Sequence, residues 1–381
     1  MSTQYQAGWM TEDLVQFGDV VRRFSKDYLL PNDLKWRAEK QASREAWLKA
    51  GELGIILPDV PDTYGGSGGT PAHASVVFWE LGYSGNTGLG LGLSSIVGHY
   101  LLKFGTEAQK LRWLPGIASG EIIAAIAMTE PGTGSDLQGV RTRAERRGDD
   151  YVINGAKTFI SNGQLCDVVI VVAKTDPTQG AKGISLFIVD TNTPGFERGQ
   201  VLEKLGMEGQ DTSEMFFADC TVPADCLLGE VEGRGFYQLV GQLAFERAQI
   251  AIWASGAMMR AFDLTVDYVK ERKAFGKPLI DFQNTRFVLA GVKATVTAAR
   301  AFTDMVVQKW IDGTLDAATA SMAKFWCTER QCEVTDQCLQ LFGGYGYMKE
   351  YPIARLYADA RVQKIYGGAN EIQRELVGRQ L

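Results

Sequence analysis

The sequence predicts an α+β protein in which two helical segments flank a β segment. Apolar residues recur at helical spacing in residues 1–122 and again in 231–381. Between them, residues 123–230 contain short β-branched and aromatic runs separated by turns. A chain of 381 residues is too long for one small core, so two or three folding units are expected. We therefore expect an N-terminal helical domain, a middle antiparallel β domain and a C-terminal helical bundle with these bounds.

In the first segment, apolar residues with helical spacing predict an opening helix that contains Leu14, Phe17, Val21 and Phe24. Pro31 is expected to end it, and Pro115 is expected to end a later helix that begins at Thr106. Two further helices are expected at 43–53 and 71–81, and between them a loop rich in glycine and proline at 57–70.

In the middle segment, three apolar runs predict strands at 168–173, 184–190 and 214–222. Another run ends in Asn154-Gly155, which is a frequent pair in two-residue hairpin turns. Parallel strands in βαβ units need intervening helices, and none fits between these runs. The sheet is therefore expected to be antiparallel.

The helical period returns near Gly235 and predicts long helices joined by short loops, as in an antiparallel four-helix bundle. The expected helices cover 236–269, 282–312, 316–342, 354–362 and 370–378.

Composition excludes several classes of function. The net charge of −6 disfavours binding to nucleic acid or to an anionic membrane. There is no apolar run of the ~20 residues that a membrane span needs. The N-terminal stretch MSTQYQAGWMTEDLVQF lacks the basic and apolar regions of a secretory signal. We therefore expect a cytoplasmic protein of bacterial type without membrane insertion.

Cysteine and histidine usage narrows the chemistry further. None of the six cysteines forms a CxxC pair, so they are expected to be reduced and mostly buried. The two histidines, His73 and His99, cannot build a histidine-rich zinc site, and neither lies near a nucleophile elbow. No metal site is expected, and the chemistry must depend on carboxylates or on a cofactor.

Glu246 is the first candidate for that chemistry. On a helix it falls in the middle of an apolar stripe formed by Leu239, Leu243, Ile250 and Trp253. Desolvation there would raise the pKa of its carboxyl towards neutrality and make it a candidate proton acceptor. The alternative is an ion pair with Arg247 or with a neighbouring helix, since structural ion pairs also perturb pKa values.

Four glycine-rich or basic stretches are candidate ligand sites, and each has a structural alternative. Residues 128–136 (MTEPGTGSD) offer backbone N–H groups and hydroxyls to a polar heterocycle or phosphate, or form only a tight turn. Residues 271–277 (ERKAFGK) clamp a phosphate through Arg272, or simply cap a helix end with basic residues.

The other two candidates lie near the C-terminus. Residues 340–347 (QLFGGYGY) allow close approach of the backbone to a flat ligand, or form a helix C-cap and loop. Residues 365–371 (IYGGANE) place a glycine pair before a helix whose expected N-cap is Asn370. Free N–H groups at that helix start suit an anion or an oxyanion, whereas Glu371 is expected to interact with the helix dipole.

In this order, with Glu246 between the first stretch and the other three, the sequence resembles the acyl-CoA dehydrogenase family over nearly its whole length. The segments that carry the resemblance are PDTYGGSG, TEPGTGSDL, INGAKTFISNG, LGMEGQDTSEMFFADCTVP, ERKAFGKPL, LFGGYGY and YGGANEIQREL. The last, with GQDTSEMFFADC, is most similar to the long-chain acyl-CoA dehydrogenase subgroup. The resemblance implies a middle β-barrel domain, non-covalent FAD and a homotetramer built as a dimer of dimers.

The resemblance also implies site residues. It assigns to the flavin ring and its surroundings Met128, Thr129, Gly134, Ser135, Phe159, Ile160 and Ser161. It assigns to the pyrophosphate and adenosine of FAD in a neighbouring subunit Arg272, Phe275, Gln283, Gln340, Gly343 and Gly344. Ala369 and Glu371 also fall at cofactor positions, although the family often has threonine at position 369. The substrate is expected near Ser135, Arg247, Tyr366, Gly367 and Gly368.

The catalytic base of the family occupies one of two positions. Many members carry a glutamate where this chain has Gly367. A second group, which includes long-chain and isovaleryl-CoA dehydrogenases, places it on a bundle helix just before an arginine, as in Glu246-Arg247. The resemblance therefore implies that Glu246 removes the α-proton of a fatty acyl-CoA, of medium-to-long or branched chain, while the β-hydrogen leaves as hydride to flavin N5.

The implied product is a trans-2-enoyl-CoA, formed while a ribityl hydroxyl and the Gly367 N–H stabilise the thioester oxygen. Such donors contribute roughly 3 kcal/mol each in other oxyanion holes. Electrons would pass to an electron-transferring flavoprotein. The alternatives are an oxygen-using acyl-CoA oxidase or flavin monooxygenase on the same fold, and a DNA-associated relative, which the acidic charge disfavours. Chain length and branching stay open at this stage.

Overall fold

The computed structural model describes residues 7–381. The first six residues of the N-terminal stretch, in which we expected no secretory signal, lie outside this range. No helix within residues 7–381 is long and apolar enough to cross a membrane. The largest hydrophobic core joins the N-terminal helices to the sheet, and a second core lies among the C-terminal helices.

The described part of the first segment contains six α-helices: α1 (Glu12–Phe24), α2 (Leu30–Glu39), α3 (Arg44–Glu52), α4 (Pro71–Ser84), α5 (Leu91–Phe104) and α6 (Glu107–Ser119). Both proline predictions were wrong. Pro31 is the second residue of α2, and a π-helical turn (Ser25–Leu29) joins α1 directly to α2 without a break at the proline. Pro115 lies inside α6, which continues for another turn to Ser119.

The middle segment is a curled seven-stranded sheet. Its strands are β1 (Ala124–Ala127), β2 (Arg143–Arg147), β3 (Asp150–Ser161), β4 (Val168–Lys174), β5 (Ile184–Asp190), β6 (Phe196–Val201) and β7 (Thr212–Pro223). The predicted strands at 168–173 and 184–190 are confirmed as β4 and β5, which are paired and buried along nearly their whole length.

The prediction of a wholly antiparallel sheet was wrong, because β4 has two parallel neighbours, β1 and, at the single pair of Arg143 and Lys174, β2. Strand β1 pairs with β4 in parallel, from Ala124 beside Val168 to Ala127 beside Val171. The sequence reasoning required a helix for any parallel connection, but a crossover needs only enough chain. Here the antiparallel hairpin of β2 and β3 supplies that chain.

The Asn154-Gly155 pair does not form the predicted hairpin turn, because it lies inside β3 at a shift in the pairing with β7. The Asn154 side chain bridges to β7 there: its amide donates to Asp219 and its oxygen accepts from the Asp219 N–H at 2.9 Å. The turn between β2 and β3 lies instead at Gly148 and Asp149, where Gly148 adopts φ +66°.

The C-terminal segment contains three long helices and two short ones: α7 (Gly235–Glu271), α8 (Gln283–Ile311), α9 (Ala317–Phe342), α10 (Pro352–Ala360) and α11 (Asn370–Gly378). A two-stranded hairpin, β8 (Lys273–Ala274) and β9 (Lys277–Pro278), joins α7 to α8. The helical bundle is confirmed, but in place of a fourth long helix α10 and α11 pack against α9.

Helix α7 is held from the N-terminal side by α4. A Cβ on Gly82 would lie 2.3 Å from the Trp253 oxygen, and a Cβ on Gly256 would lie 2.3 Å from the Trp79 oxygen. These reciprocal glycine contacts let the two helix backbones approach closely. The helix that carries Glu246 is thereby fixed between α4 and the bundle.

Candidate active site

Glu246 lies within α7 with 5% of its surface exposed, as the apolar stripe predicted. Its Oε1 accepts a hydrogen bond of 3.0 Å from the Tyr100 hydroxyl on α5. No salt bridge joins Glu246 to a cation within residues 7–381, and the Arg247 guanidinium instead donates to Ser321 Oγ at 3.0 Å. The alternative of a structural ion pair with Arg247 is therefore excluded.

Burial raises the pKa of the Glu246 carboxyl to about 7, although the Tyr100 hydrogen bond and the Arg247 charge act to lower it. A carboxyl with this pKa is substantially ionised at neutral pH and still binds a proton readily. Those are the properties of a general base.

Gly367 lies against the same face of α7. A Cβ on Gly367 would be 2.3 Å from Ile250 Cδ1, and Gly367 adopts φ +63°, which disfavours any other residue. Ile250 follows Glu246 by one helical turn, about 6 Å along the axis. The two alternative base positions therefore face one another across one turn of α7, and the side chain of Ile250 fills the space that a glutamate at 367 would need.

The loop at Gly367 and Gly368 is held through its carbonyl groups. The Gly368 oxygen accepts from Lys324 Nζ at 2.9 Å and from Gln373 Nε2 at 3.1 Å. The Gly367 N–H makes no hydrogen bond within the described chain, so it is available to an external acceptor.

Lys324 is a second buried cation in this region, besides Arg247. Burial, aided by the Arg247 charge, lowers the pKa of its ammonium to about 7. It donates to Asn370 Oδ1 as well as to the Gly368 oxygen, both at 2.9 Å. We call the group Tyr100, Glu246, Arg247, Ile250, Lys324 and Gly367 the carboxylate pocket.

Asn370 does not cap α11 as predicted. It is the first residue of the helix, and its side chain turns inward to Lys324 and Thr328. Ala369 holds the N-cap position, and Glu371 is exposed in the first turn, as expected for a residue that interacts with the dipole. Tyr366 is 38% exposed at the rim of the loop.

A second group of predicted residues meets where residues 128–136 cross the end of β3. The Thr158 N–H donates to the Thr129 oxygen at 3.0 Å, and Lys157 Nζ donates to the Met128 oxygen at 3.1 Å. Glu130 fixes the loop from inside, because its carboxylate accepts from the N–H groups of Arg141 and Thr142 and from the Thr142 hydroxyl.

The loop is a tight turn with an open outer side. Glu130 and Thr133 exchange both backbone hydrogen bonds, so this stretch does form a tight turn. A Cβ on Gly132 or Gly134 would nevertheless meet nothing within 4 Å, and Ser135 is exposed. The turn therefore leaves open space outside it, in which a ligand fits.

Phe159 is the most unusual residue of this group, which we call the strand-end cluster: Met128, Thr129, Phe159, Ile160 and Ser161. Phe159 is 67% exposed and adopts φ +59°, a conformation that costs a non-glycine residue of order 1–3 kcal/mol. Its neighbour Ile160 is buried in the core, so only the Ile160 backbone is available to a ligand. An exposed, strained aromatic suits a flat partner.

The third group forms an open groove of about 600 Å³ beside the end of α9. Arg272, Gln340, Gly343, Gly344 and Tyr345 line it, with Tyr268 and Thr285 from α7 and α8. The Arg272 guanidinium lies 5.5 Å from the Tyr345 ring centre, and no carboxylate pairs with it within residues 7–381. We call this surface the arginine groove.

Arg272 also occupies the C-cap position of α7, so its structural alternative holds as well. Phe275 and Gln283 do not line the groove. Phe275 is 95% exposed at the turn between β8 and β9, and Gln283 is the exposed first residue of α8. The groove does not include Glu246, and no hydrogen bond joins the groove, the strand-end cluster and the carboxylate pocket within the described chain.

Sequence reasoning missed Tyr100, Ile250, Lys324 and Gln373 as members of the site. A buried tyrosine and a buried lysine on amphipathic helices carry no local motif. Only the glycine pair that Lys324 and Gln373 hold was visible in the sequence.

This arrangement combines a buried carboxylate with the start of a helix, an exposed aromatic and a groove for an anion. Comparison with known proteins assigns the class. The descriptions "Acyl-CoA dehydrogenase, N-terminal domain", "middle domain" and "C-terminal domain" match residues 11–121, 125–220 and 233–381.

The long-chain specific acyl-CoA dehydrogenase of Mus musculus mitochondria is 47% identical over 96% of this chain and 85% of its own length. The crystal structure of acyl-CoA dehydrogenase from Geobacillus kaustophilus superposes with a TM-score of 0.96 at 43% identity, over 98% of this chain and 99% of that one. A glutaryl-CoA dehydrogenase from Mycobacterium smegmatis, solved in complex with FADH2, gives 0.92 at 28% identity over 97% and 94%.

The chain belongs to the acyl-CoA dehydrogenase family. It is an FAD-dependent oxidoreductase that dehydrogenates acyl-CoA at a CH–CH bond. The residues present fit the cofactor: the exposed Phe159 ring suits a flavin, and the Arg272 guanidinium, which pairs with no carboxylate in the described part of the chain, suits a pyrophosphate.

Proposed function

We propose that the protein converts a medium-to-long or branched acyl-CoA to the trans-2-enoyl-CoA, with Glu246 as the base that takes the α-proton. The observation that carries the proposal is the burial of the Glu246 carboxylate, which pairs with no cation within residues 7–381 and lies one helical turn from Ile250, against which the Gly367 loop packs. The pKa of about 7 supports this role, since a base works best when its pKa lies near the working pH.

The Gly367 loop supports the same reaction. An α-proton becomes acidic only when the developing charge on the thioester oxygen is stabilised. We assign that task in part to the Gly367 N–H, which has no partner within the described chain. Lys324 and Gln373 hold the loop by the Gly368 carbonyl, so the donor is oriented before the substrate binds.

The remaining residues bind and orient. We assign the flavin ring to the strand-end cluster together with Gly134 and Ser135, and the Ala369 and Glu371 region to the same cofactor. We assign the pyrophosphate and adenosine to the arginine groove, with Phe275 and Gln283 beside it. FAD, when bound, supplies the hydride acceptor at N5. Arg247, Tyr366 and Gly368 complete the substrate side, where the buried Arg247 contributes charge rather than contact.

The assembly and the electron acceptor follow from the family resemblance. We propose a homotetramer in which the groove of one subunit completes the cofactor site of another. The aromatic residues Phe275 and Tyr347, both largely exposed in the single chain, support a further partner surface there. We propose an electron-transferring flavoprotein as the acceptor, and the three domains with bounds 1–122, 123–230 and 231–381.

The test is an activity profile of the FAD-loaded protein across straight and branched acyl-CoA chains, with an electron-transferring flavoprotein or with oxygen alone. We expect a trans-2-enoyl-CoA product, highest kcat/KM on the longer chains and little turnover with oxygen. A maximum on short chains would contradict the substrate class. Full turnover with oxygen alone would favour the alternative, an acyl-CoA oxidase.

A further inference from the structure

Tyr100 on α5 is the only residue of the described chain that donates a hydrogen bond to Glu246. The Tyr100 side chain is fully buried, and its hydroxyl lies 3.0 Å from Glu246 Oε1 and 3.5 Å from the Leu239 oxygen. The shorter contact is to the charged acceptor, as expected for a charge-assisted bond. The Phe104 ring packs against Tyr100 with centres 6.1 Å apart and restrains the phenol.

The Tyr100 hydroxyl remains a proton donor at any working pH. Burial, together with the Glu246 charge, holds the pKa of the phenol well above its ordinary value. A buried donor of fixed orientation therefore faces a carboxylate that burial disfavours in its ionised form. Its hydrogen bond offsets part of that penalty, because donors to a charged group stabilise it more strongly inside a protein than in water.

The bond also distinguishes the two oxygens of the carboxylate. Oε1 accepts the Tyr100 hydrogen bond, whereas Oε2 accepts no hydrogen bond from residues 7–381. A carboxylate with one oxygen tied cannot rotate freely about its last bond. The untied oxygen is the one that remains for a proton from outside the protein.

We propose that Tyr100 is a positioning residue for the base: its hydroxyl holds Oε1, leaves Oε2 to receive the α-proton, and keeps the carboxylate ionised near neutral pH. This inference rests on the proposed role of Glu246. The inference adds Tyr100 to the site, a residue on α5 that lies outside all the sequence motifs named above.

Other charged groups around α7 are engaged elsewhere. Arg247, on the same helix, contributes charge but no hydrogen bond to Glu246. On α5, His99 contacts Asp59 at 3.0 Å and Lys103 donates to the Gly241 oxygen. On the neighbouring helices α4, α8 and α9, Glu80 pairs with Arg22, Tyr83 donates to Asp263, Arg300 pairs with Asp304, and Lys324 donates to the Gly368 oxygen.

The experiment compares the pH profile of kcat/KM for the FAD-loaded wild type and for Tyr100→Phe, which removes only the hydroxyl. In the wild type we expect the rate to fall below a pH near 7, where Glu246 becomes protonated. In Tyr100→Phe this limb should move up by about one pH unit or more, the scale of a hydrogen bond to a charged group. At neutral pH the rate should fall about tenfold, and at high pH it should largely recover.

The matched control is Tyr151→Phe, which removes the hydroxyl of another buried tyrosine, on β3 of the middle segment, that donates to the exposed carboxylate of Glu232. Its profile should match that of the wild type. If Tyr100→Phe lowers the rate equally at every pH without moving the limb, Tyr100 acts only through packing and the inference is overturned.

Two further measurements keep the inference testable and separate from the proposed function. Infrared titration of the substrate-free protein gives the protonation of Glu246 directly, with Glu246→Gln as the blank, and does not require turnover. If Tyr100→Phe does not fold, 3-fluorotyrosine at position 100, a more acidic donor, should move the limb to lower pH. If the pH limb of the 3-fluorotyrosine protein does not move, the role of Tyr100 is contradicted. The role of Glu246 is tested separately, by the loss of activity in Glu246→Gln.

Discussion

The carboxylate pocket and the arginine groove are built in opposite ways. In the pocket, Glu246 and Lys324 are buried and their polar partners come from the same chain. In the groove, Arg272 is exposed, lacks a carboxylate partner within the described residues, and lies beside glycines whose missing side chains would meet nothing. The polar groups of the carboxylate pocket are therefore satisfied by the chain itself, whereas the arginine groove has a charge and a space that suit an external ligand.

This difference separates reactivity from binding. The pKa of Glu246 depends on burial, which the packing of the chain itself provides. The groove offers a positive charge and open space, so its favourable interaction free energy is gained only when an anion binds there. Substitutions in the pocket should therefore change rate and pH dependence, whereas substitutions in the groove should change cofactor affinity.

The largest effect is expected for Glu246→Gln. Glutamine retains the size of the side chain and its contact with Tyr100 but cannot accept the α-proton. We expect a loss of at least ~100-fold in kcat, the usual scale for a missing general base, with FAD content and acyl-CoA binding retained. The control is Glu80→Gln on α4, another buried carboxylate, which should retain its rate. Near-normal turnover of Glu246→Gln would remove the pocket from the mechanism.

The next effect concerns Arg272→Gln in the groove. Loss of a charge-assisted contact to a phosphate costs about 1.5–3 kcal/mol, so the Kd for FAD should rise roughly ten- to a hundredfold. With FAD at saturation, kcat should be close to that of the wild type. Flavin fluorescence measures the affinity. Lys273→Gln, the adjacent exposed cation, is the control, and an equal loss there would mean that only general charge matters.

A smaller effect is expected when the base is moved across the pocket. Glu246→Gln with Gly367→Glu should stay inactive, because the new side chain would collide with Ile250 and require a disfavoured φ. Adding Ile250→Ala removes the collision. The triple variant should therefore turn over about tenfold faster than the double variant, which is a fraction of what a general base contributes. Ile250→Ala alone controls for packing. Full recovery in the double variant would show that the loop moves more easily than its contacts indicate.

The smallest effect is on stability. The folded-state pKa of Glu246 is raised to about 7, so the stability that its protonated form provides is present at low pH and is lost as the pH rises through 7. Glu246→Gln should therefore be more stable than the wild type at pH 8, by up to about 3 kcal/mol, and no more stable at pH 4. Thermal melting of both proteins at the two pH values measures this. An equal gain at both values would point to packing instead.

The carboxylate pocket shows what a sequence can reveal and what it cannot. Helical spacing placed Glu246 on an apolar stripe, and the structure confirms its burial. Its partner Tyr100 is 146 residues away in the chain, and no periodicity relates α5 to α7. Contacts between distant helices depend on tertiary packing, so the local pattern gave the reactive residue but not the residue that holds it.

Local signals failed where tertiary context overrode them. Asn154-Gly155 is a frequent hairpin pair, yet pairing with Asp219 on β7 keeps it inside a strand. Pro115 has no N–H to donate but does not end α6. The parallel pairing of β1 with β4 was missed because the crossover is a hairpin rather than a helix. In contrast, the bounds of α9 and α11 were predicted to within one residue, because their periodic patterns are long or sharply bounded by glycines.

The most direct test of the central claim is deuterium exchange at the second carbon of an acyl-CoA analogue that carries no hydrogen on its third position. Such an analogue can lose its α-proton to the enzyme but cannot be oxidised, so the measurement isolates the base. We expect the FAD-loaded wild type to exchange this proton with D2O and Glu246→Gln to exchange it at least ~100-fold more slowly. Exchange by Glu246→Gln at the wild-type rate would contradict the assignment of the base.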